Sequence, residues 1–220
     1  MSIATEPQLH KFKDWIFRLR TTQVKPARIL ILIHGWMGDE NSMWVLARRL
    51  SPDYTILAPR APYPVKEGGY SWRKIRSGTW GMASLEELRP SADALLAFVD
   101  DWSTSAGMDA GQVDLMGFSQ GAAMAYALVF LNPERVHRVA ALSGFIPENG
   151  ETLLVPQRLS GKPIFITHGT QDELISVELA RRSAALLTKA GAQVTYCESD
   201  AGHKVSKECL KDLELFMGKF

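Results

Sequence analysis

The feature that most constrains the fold is an alternation of short apolar runs with longer segments of helical periodicity. The central runs are almost continuously apolar, as expected for parallel strands that are covered on both faces. The predicted strands are Trp15–Leu19, Ile29–Ile33, Tyr54–Ala58, Val113–Met116, Val139–Leu142, Ile164–Thr167 and Val194–Cys197. The predicted helices are Ser42–Leu50, Leu85–Ser103, Gln120–Phe130, Val177–Lys189 and Val205–Phe216.

This alternation predicts right-handed βαβ crossovers, and therefore an α/β fold with a mostly parallel sheet of about seven strands and helices on both faces. No helical segment separates Trp15–Leu19 from Ile29–Ile33, so we predict that the first of these is an antiparallel edge strand. No repeat or long linker divides the chain, and its 220 residues suit one domain over residues 1–220. Catalytic residues of such sheets gather in loops beyond the carboxyl ends of the strands.

Composition excludes several classes of partner. Lys plus Arg number 25 and Asp plus Glu number 24, and a formal net charge of +1 offers no electrostatic footprint for nucleic acid or an anionic membrane. The apolar runs are shorter than the roughly 20 residues that a membrane helix needs, so stable membrane insertion is not expected. The two cysteines, Cys197 and Cys209, show neither a disulfide framework nor metal-ligand spacing. We therefore expect packing roles for them, a reducing cytoplasmic setting and no metal site.

The strongest local motif is Gly117-Phe-Ser-Gln-Gly121, which lies between a predicted strand and a predicted helix. A Gly-x-Ser-x-Gly sequence in this context is typical of a nucleophile elbow, in which a sharp turn exposes the serine hydroxyl. Glycines two positions either side of the serine remove side chains that would collide in the turn. The motif predicts that Ser119 is a catalytic nucleophile.

A serine nucleophile needs a base, and the base needs a carboxylate that orients it. In sheets with this elbow the order along the chain is Ser, then Asp or Glu, then His. Asp172 follows the strand Ile164–Thr167, where the acid is expected, and His203 is the only histidine after it. Asp200 is the rival acid, but it shares a short loop with His203 and is poorly placed to support the imidazole. The predicted triad is Ser119, His203 and Asp172.

Two backbone N–H groups are predicted to form an oxyanion hole. The strand Ile29–Ile33 leads into His34-Gly35-Trp36, a position that matches the loop facing a nucleophile elbow. We assign the donors to the N–H groups of Trp36 and Gln120. Each such donor lowers the barrier by about 3–4 kcal/mol.

Taken together, these motifs resemble one known family. His34-Gly-Trp-Met-Gly-Asp39, Ala58-Pro-Arg-Ala-Pro62, Gly117-Phe-Ser-Gln-Gly121, His168-Gly-Thr-Gln-Asp172 and Gly202-His203 are similar to the small carboxylesterases, lysophospholipases and acyl-protein thioesterases. The resemblance implies an α/β-hydrolase fold without a cofactor, acting on carboxylic esters, thioesters or lysophospholipids, and often present as a homodimer. The chain departs from the family at Trp36-Met37, where a leucine often follows His-Gly, and at Ala122, where a second glycine is common.

Residues 59–80 form the longest stretch without clear periodicity, and long irregular loops of compact domains are often binding loops. Aromatic side chains there, together with those beside the predicted oxyanion hole, can line an apolar pocket. The predicted substrate-binding residues are Trp36, Met37, Tyr70, Trp72 and Trp80.

The predicted function is hydrolysis of a small-molecule ester through an acyl-enzyme formed on Ser119. Two alternatives stay open at this point. One is cyclic-ester hydrolysis of the dienelactone hydrolase kind, although that subgroup usually has a cysteine nucleophile and neither cysteine lies in the elbow. The other is a catalytically silent binding module on the same fold, although such modules usually lose a triad member.

Overall fold

A computed structural model of the chain describes residues 8–25, 27–75 and 82–218. The described residues form ten strands: β1 Gln8–Phe12, β2 Trp15–Arg20, β3 Arg28–Ile33, β4 Tyr54–Pro59, β5 Tyr63–Pro64, β6 Tyr70–Ser71, β7 Val113–Phe118, β8 Val136–Leu142, β9 Pro163–Gly169 and β10 Gln193–Ser199. Within the same ranges there are five α-helices: α1 Trp44–Ala47, α2 Leu85–Ser105, α3 Gln120–Leu131, α4 Val177–Lys189 and α5 Lys207–Phe216. Single 3₁₀ turns lie at Pro133–Arg135 and Gly150–Leu153.

Eight of the strands form one sheet in the order β1-β2-β4-β3-β7-β8-β9-β10, and β5 pairs with β6 in a separate two-stranded ribbon. The pairings from β4 through β3 to β10 are all parallel, whereas β1 and β2 run antiparallel to their neighbours. This arrangement is the α/β-hydrolase fold, and the predicted fold class is confirmed. The carboxyl ends of β3, β7, β9 and β10 meet at one edge of the sheet, from which the candidate site is built.

The predicted edge position of the strand Trp15–Leu19 is wrong. The segment Trp15–Arg20 is antiparallel, as predicted, but β1 pairs along its outer side and makes the sheet eight strands wide. The two strands are joined through Lys13 and Asp14, and Lys13 has a φ of 52°. Hairpin turns with positive φ usually carry Gly or Asn, so the Lys-Asp pair gave no turn signal in the sequence.

The first predicted helix, Ser42–Leu50, is much shorter in the structure. Only Trp44–Ala47 is α-helical. The residues after it form turns in which Arg49 N–H donates to Leu46 O and Leu50 N–H donates to Ala47 O. These bonds span three residues rather than four, so the helical spacing of the segment continues as 3₁₀-type turns.

Both faces of the sheet are covered by helices, as predicted. In β3, Ile29, Ile31 and Ile33 pack into the larger core beneath α2, α3 and α4, while Leu30 and Leu32 pack into a second core beneath α1 and α5. The two sets alternate because successive side chains of a strand point to opposite faces. Helix α3 is buried on all sides, which explains why its sequence is apolar throughout.

The prediction of separate packing roles for the cysteines is wrong. Cys197 in β10 and Cys209 in α5 form a disulfide, with their Cα atoms 5.7 Å apart. The sequence did not reveal the pairing because it depends on how α5 folds back against β10. The disulfide closes a loop of sequence separation 12, and His203 lies near the middle of that loop.

In the described part of the chain, no helix has the length and apolar character needed to cross a membrane.

Candidate active site

Ser119 occupies a sharp turn between β7 and α3. Its φ of 55° and ψ of −118° are strained for a residue with a side chain, and such strain is common at reactive positions. Its N–H donates to Leu142 O at 2.9 Å, which anchors the turn to the neighbouring strand β8. The turn requires both glycines of the motif. A Cβ on Gly117 would lie 2.1 Å from Gly121 O, and a Cβ on Gly121 would lie 2.0 Å from Ile33 O.

Asp172 and His203, predicted as acid and base, are directly bonded to each other. His203 Nδ1 lies 2.7 Å from Asp172 Oδ2. The carboxylate follows β9 and the imidazole follows β10, and these two strands are adjacent and parallel. The bond to Asp172 leaves Nε2 of His203 as the ring nitrogen available to a serine. The rival acid, Asp200, is exposed to solvent.

Backbone donors hold the Asp172 carboxylate in place. Its Oδ1 accepts hydrogen bonds from Leu174 N–H at 2.9 Å and Ile175 N–H at 3.0 Å. Burial by itself would raise the pKa of Asp172, but the hydrogen bonds from Ile175, His203 and Leu174 outweigh it and hold the pKa below its ordinary value. The acid is therefore ionised at neutral pH, as a carboxylate that orients an imidazole must be.

A second histidine touches the same carboxylate. The side chain of His168 is fully buried, and its Nε2 lies 2.8 Å from Ile175 O and 3.2 Å from Asp172 Oδ2. A ring nitrogen next to a carbonyl oxygen must carry a hydrogen, so Nε2 is the donor. The expectation that His168 shapes the Asp172 loop agrees with these contacts.

The loop after β3 lies beside Ser119. A Cβ on Gly35 would come within 3.3 Å of Ser119 Cβ, and Trp36 is the residue that follows Gly35. Gln120 is the first residue of α3, and the first N–H groups of a helix have no partner within the helix. Both predicted oxyanion donors thus belong to residues next to Ser119. The following residue, Met37, donates its own N–H to Tyr70 O at 3.0 Å.

Two largely apolar cavities, of about 350 and 540 Å³, meet at Ser119 and His203. Trp36 and Leu174 line both cavities and so stand at the point where they join. The smaller cavity continues past Ile75, Met82, Ala83 and Phe145, and the larger past Met37, Met43, Val45, Leu46 and Val205. A serine flanked by two apolar cavities can accept a carbonyl compound with an apolar group on either side.

The predicted substrate-binding residues divide into three groups. Trp36 and Met37 line cavities beside Ser119, and substrate binding by them stays a prediction. Tyr70 and Trp72 lie outside both cavity linings formed by the described residues. Tyr70 is hydrogen-bonded through its backbone to the loop after β3. Trp72 is fully buried, so the predicted role of Trp72 in lining the pocket is wrong. Trp80 lies outside the described residues.

Several lining residues were not predicted from the sequence. Leu174 is 77% exposed and lies two residues after Asp172, and Phe145 lies in the loop after β8, at the catalytic edge of the sheet. Their positions at strand ends were the available signal. The lining residues of α1 and Val205 had no such signal in the sequence, because they approach Ser119 only through the tertiary fold. Among the residues described, no group of three His, Cys, Asp or Glu side chains is arranged to hold a metal ion.

The chain is similar to proteins named as carboxylesterases and acyl-protein thioesterases. The chain is 28% identical to an acyl-protein thioesterase 1 from Debaryomyces hansenii, over 88% of this chain and 91% of that protein. Its fold matches crystal structures of a carboxylesterase from Mesorhizobium loti (TM-score 0.79, 22% identity, 98% of this chain and 100% of that one) and of the Bacillus cereus carboxylesterase (TM-score 0.79, 23% identity, 91% and 92%). A family model described as phospholipase/carboxylesterase matches residues 16–220. The chain therefore belongs to the phospholipase/carboxylesterase family, and it is an ester hydrolase of the α/β-hydrolase fold.

Proposed function

We propose that the protein hydrolyses carboxylic esters with Ser119 as nucleophile, His203 as general base and Asp172 as the orienting acid. The observation that carries the proposal is the 2.7 Å bond between His203 Nδ1 and Asp172 Oδ2, in a loop that faces the same cavities as Ser119. A buried, ionised Asp172 favours the Nδ1–H tautomer of His203. That tautomer leaves a lone pair on Nε2 to accept the serine proton.

The reaction proceeds in two halves. His203 Nε2 accepts the proton of Ser119 Oγ as Oγ attacks the ester carbonyl carbon, and the N–H groups of Trp36 and Gln120 stabilise the oxyanion. The C–O bond to the alcohol breaks, His203 returns the proton to the leaving oxygen, and the acyl group stays on Ser119. Water then attacks the acyl-enzyme with His203 again accepting the proton, which releases the acid and regenerates Ser119.

The apolar cavities support a substrate with an uncharged hydrocarbon acyl chain. Thioesters and lysophospholipids share this chemistry, and a thioesterase is among the relatives by name. A small-molecule ester is the proposed partner, without nucleic acid and without a cofactor. A homodimer, which the resemblance implies, stays a prediction. Cytoplasmic location also stays a prediction, and the disulfide weighs against it, because disulfides persist mainly in oxidising compartments.

The test is hydrolysis of p-nitrophenyl esters of increasing acyl length by the wild-type protein and by Ser119→Ala. We expect the substitution to lower kcat by a factor on the order of 10⁶, with a residual rate about 10³–10⁴-fold above the uncatalysed reaction from the oxyanion hole and substrate binding. A fluorophosphonate probe should label the wild-type chain once and the variant not at all. Labelling without turnover of any linear ester would favour a narrower substrate such as a cyclic ester. Absence of both labelling and turnover would favour the silent binding module.

A further inference from the structure

Trp72 is fully buried between the two loops that supply the predicted oxyanion donors. One loop is the nucleophile elbow, with the N–H of Gln120, and the other follows β3, with the N–H of Trp36. The two N–H groups belong to segments far apart in sequence, and the two loops approach each other at Ser119. Their relative position therefore depends on contacts made between the loops and not on either loop alone.

Trp72 is hydrogen-bonded to both loops. Its backbone N–H donates to Gln120 Oε1 at 2.9 Å, and its indole Nε1–H donates to His34 O at 2.8 Å. The Gln120 amide is also bonded to the Ser71 hydroxyl, at 3.2 and 3.3 Å. We call the two bonds of Trp72 the Trp72 bridge. It links the side chain of one donor residue to the segment that carries the other donor.

The bridge continues to the Trp36 N–H through His34. His34 Nε2 accepts a hydrogen bond from Ala61 N–H at 3.0 Å, so this nitrogen carries no hydrogen. The hydrogen of the neutral ring is then on Nδ1, which donates to Gly35 O at 2.7 Å. Burial holds the pKa of His34 below its ordinary value, in agreement with a neutral ring. The His34 and Trp72 rings also pack together, with centroids 5.2 Å apart.

Gly35 O and the Trp36 N–H belong to the same peptide unit. Because that unit is planar and trans, fixing the direction of its carbonyl also fixes the direction of its N–H. Two donors hold the carbonyl: His34 Nδ1 at 2.7 Å and Gly38 N–H at 3.0 Å. The orientation of the Trp36 N–H is thus determined by His34, whose own carbonyl is held by the Trp72 indole.

We propose that Trp72 is a positioning residue that holds the two N–H groups of the oxyanion hole in register through its bonds to Gln120 and His34. This role rests on the proposed serine mechanism and extends it to a residue that does not touch the substrate. Oxyanion stabilisation acts mainly in the transition state, so a misplaced donor lowers kcat more than it raises KM. A residue lining the pocket would show the opposite pattern.

The test is Trp72→Phe, which keeps a buried aromatic ring and the backbone bond to Gln120 but removes the indole donor to His34. We expect kcat to fall about 10–100-fold, less than the 10²–10³-fold loss reported for removing a donor outright, with KM changed by less than about 3-fold. A trifluoromethyl ketone, which forms a hemiketal oxyanion on the serine, should bind more weakly by the same factor as kcat/KM. One fluorophosphonate should still label each chain.

The matched control is Trp102→Phe, because Trp102 is a buried tryptophan of α2 that packs on Phe17 away from the cavities. It should leave kcat and inhibitor affinity unchanged. A folded Trp72→Phe with wild-type kcat and inhibitor affinity would overturn the proposal, and so would a raised KM with unchanged kcat. If Trp72→Phe does not fold, Gln120→Met breaks the other bond of the bridge and must show the same selective loss. Failure of the wild-type chain to react with fluorophosphonate would instead refute the proposed function.

Discussion

Asp172 shows at the residue scale how the surroundings of one side chain decide its chemistry. Its Oδ1 accepts hydrogen bonds from two backbone N–H groups, and its Oδ2 lies between the imidazoles of His203 and His168. His168 Nδ1 is buried and has no hydrogen-bond partner in the described part of the chain. The carboxylate is thus held by donors of fixed direction.

Replacing Asp172 with Asn tests its orienting role. The variant keeps the shape of the side chain but loses its charge, and an amide that donates to His203 favours the wrong tautomer of the ring. We expect kcat to fall about 10⁴-fold, whereas the circular dichroism spectrum of the variant should stay close to that of the wild-type protein. The measurement is kcat for a p-nitrophenyl ester, with labelling of Ser119 as a parallel readout. A variant that keeps more than a tenth of the activity would exclude Asp172 as the acid.

The lowered pKa of Asp172 also makes a prediction about stability. The carboxylate stabilises the folded state fully above its unfolded pKa of about 3.9, and this contribution is lost as the pH falls through the lower folded pKa. The difference in free energy of unfolding between the wild-type protein and Asp172→Asn should therefore be larger at pH 7 than at pH 3. Urea denaturation at both pH values measures it. A difference that does not shrink in acid would contradict the pKa direction.

At the scale of elements, the site depends on how closely β7, α3 and β3 approach each other. Gly121 at the start of α3 touches the end of β3, where a Cβ would lie 2.0 Å from Ile33 O and 2.6 Å from His34 O. Both obstacles are backbone atoms, which cannot rotate away as the end of a side chain can. This close approach brings the turn at Ser119 next to the loop after β3. One added methyl group on Gly121 is enough to prevent the approach.

Gly121→Ala should therefore separate the two elements. We expect a loss of about 2–4 kcal/mol in the free energy of unfolding, in the range of severe packing defects, and loss of most esterase activity. Thermal unfolding and ester hydrolysis measure the two effects. Gly107→Ala is a useful control, since that glycine has positive φ but no atom within 4 Å of the added Cβ. Gly121 itself does not have positive φ, so a comparable activity loss in both variants would contradict the close contact at Gly121 as the cause.

At the scale of the whole molecule, the disulfide ties the last helix to the last strand of the sheet. Cys197 and Cys209 enclose the loop that carries His203, so the bond restricts the segment that holds the proposed base. The prediction that residues 1–220 form one domain is consistent with this tie, because one sheet runs through the described residues from β1 to β10. It stays a prediction for the full chain.

Reduction of the disulfide should lower stability, because a cross-link of this loop length removes conformational entropy from the unfolded chain. The expected loss is about 3 kcal/mol, which for a chain of this size corresponds to roughly 6–12 °C in Tm. Calorimetry with and without reductant measures it. The Cys197→Ala/Cys209→Ala double variant should unfold at the Tm of the reduced wild-type protein, and reductant should not change the Tm of this variant. An identical Tm for oxidised and reduced wild-type protein would show that the bond does not stabilise the fold.

Local sequence signals were sufficient for the fold class, and they also led to the triad, which stays a prediction. The strand periodicity and the glycines around Ser119 report on features encoded within a few residues, whereas Asp172 and His203 were selected by their order along the chain after Ser119. Strand ends and sharp turns have such signatures because backbone geometry restricts which residues fit them. The structure places Asp172 and His203 after the adjacent strands β9 and β10, and Ser119 after β7 at the same edge of the sheet.

Tertiary structure alone decided the features that depend on distant contacts. The burial of Trp72, the pairing of Cys197 with Cys209, the position of β1 outside β2 and the approach of α1 and Val205 to Ser119 have no local signature. An aromatic residue in a long loop has the same appearance in the sequence whether it faces a substrate or the core. Only packing decides between them, because the free energy of burying a side chain depends on what the rest of the chain places around it.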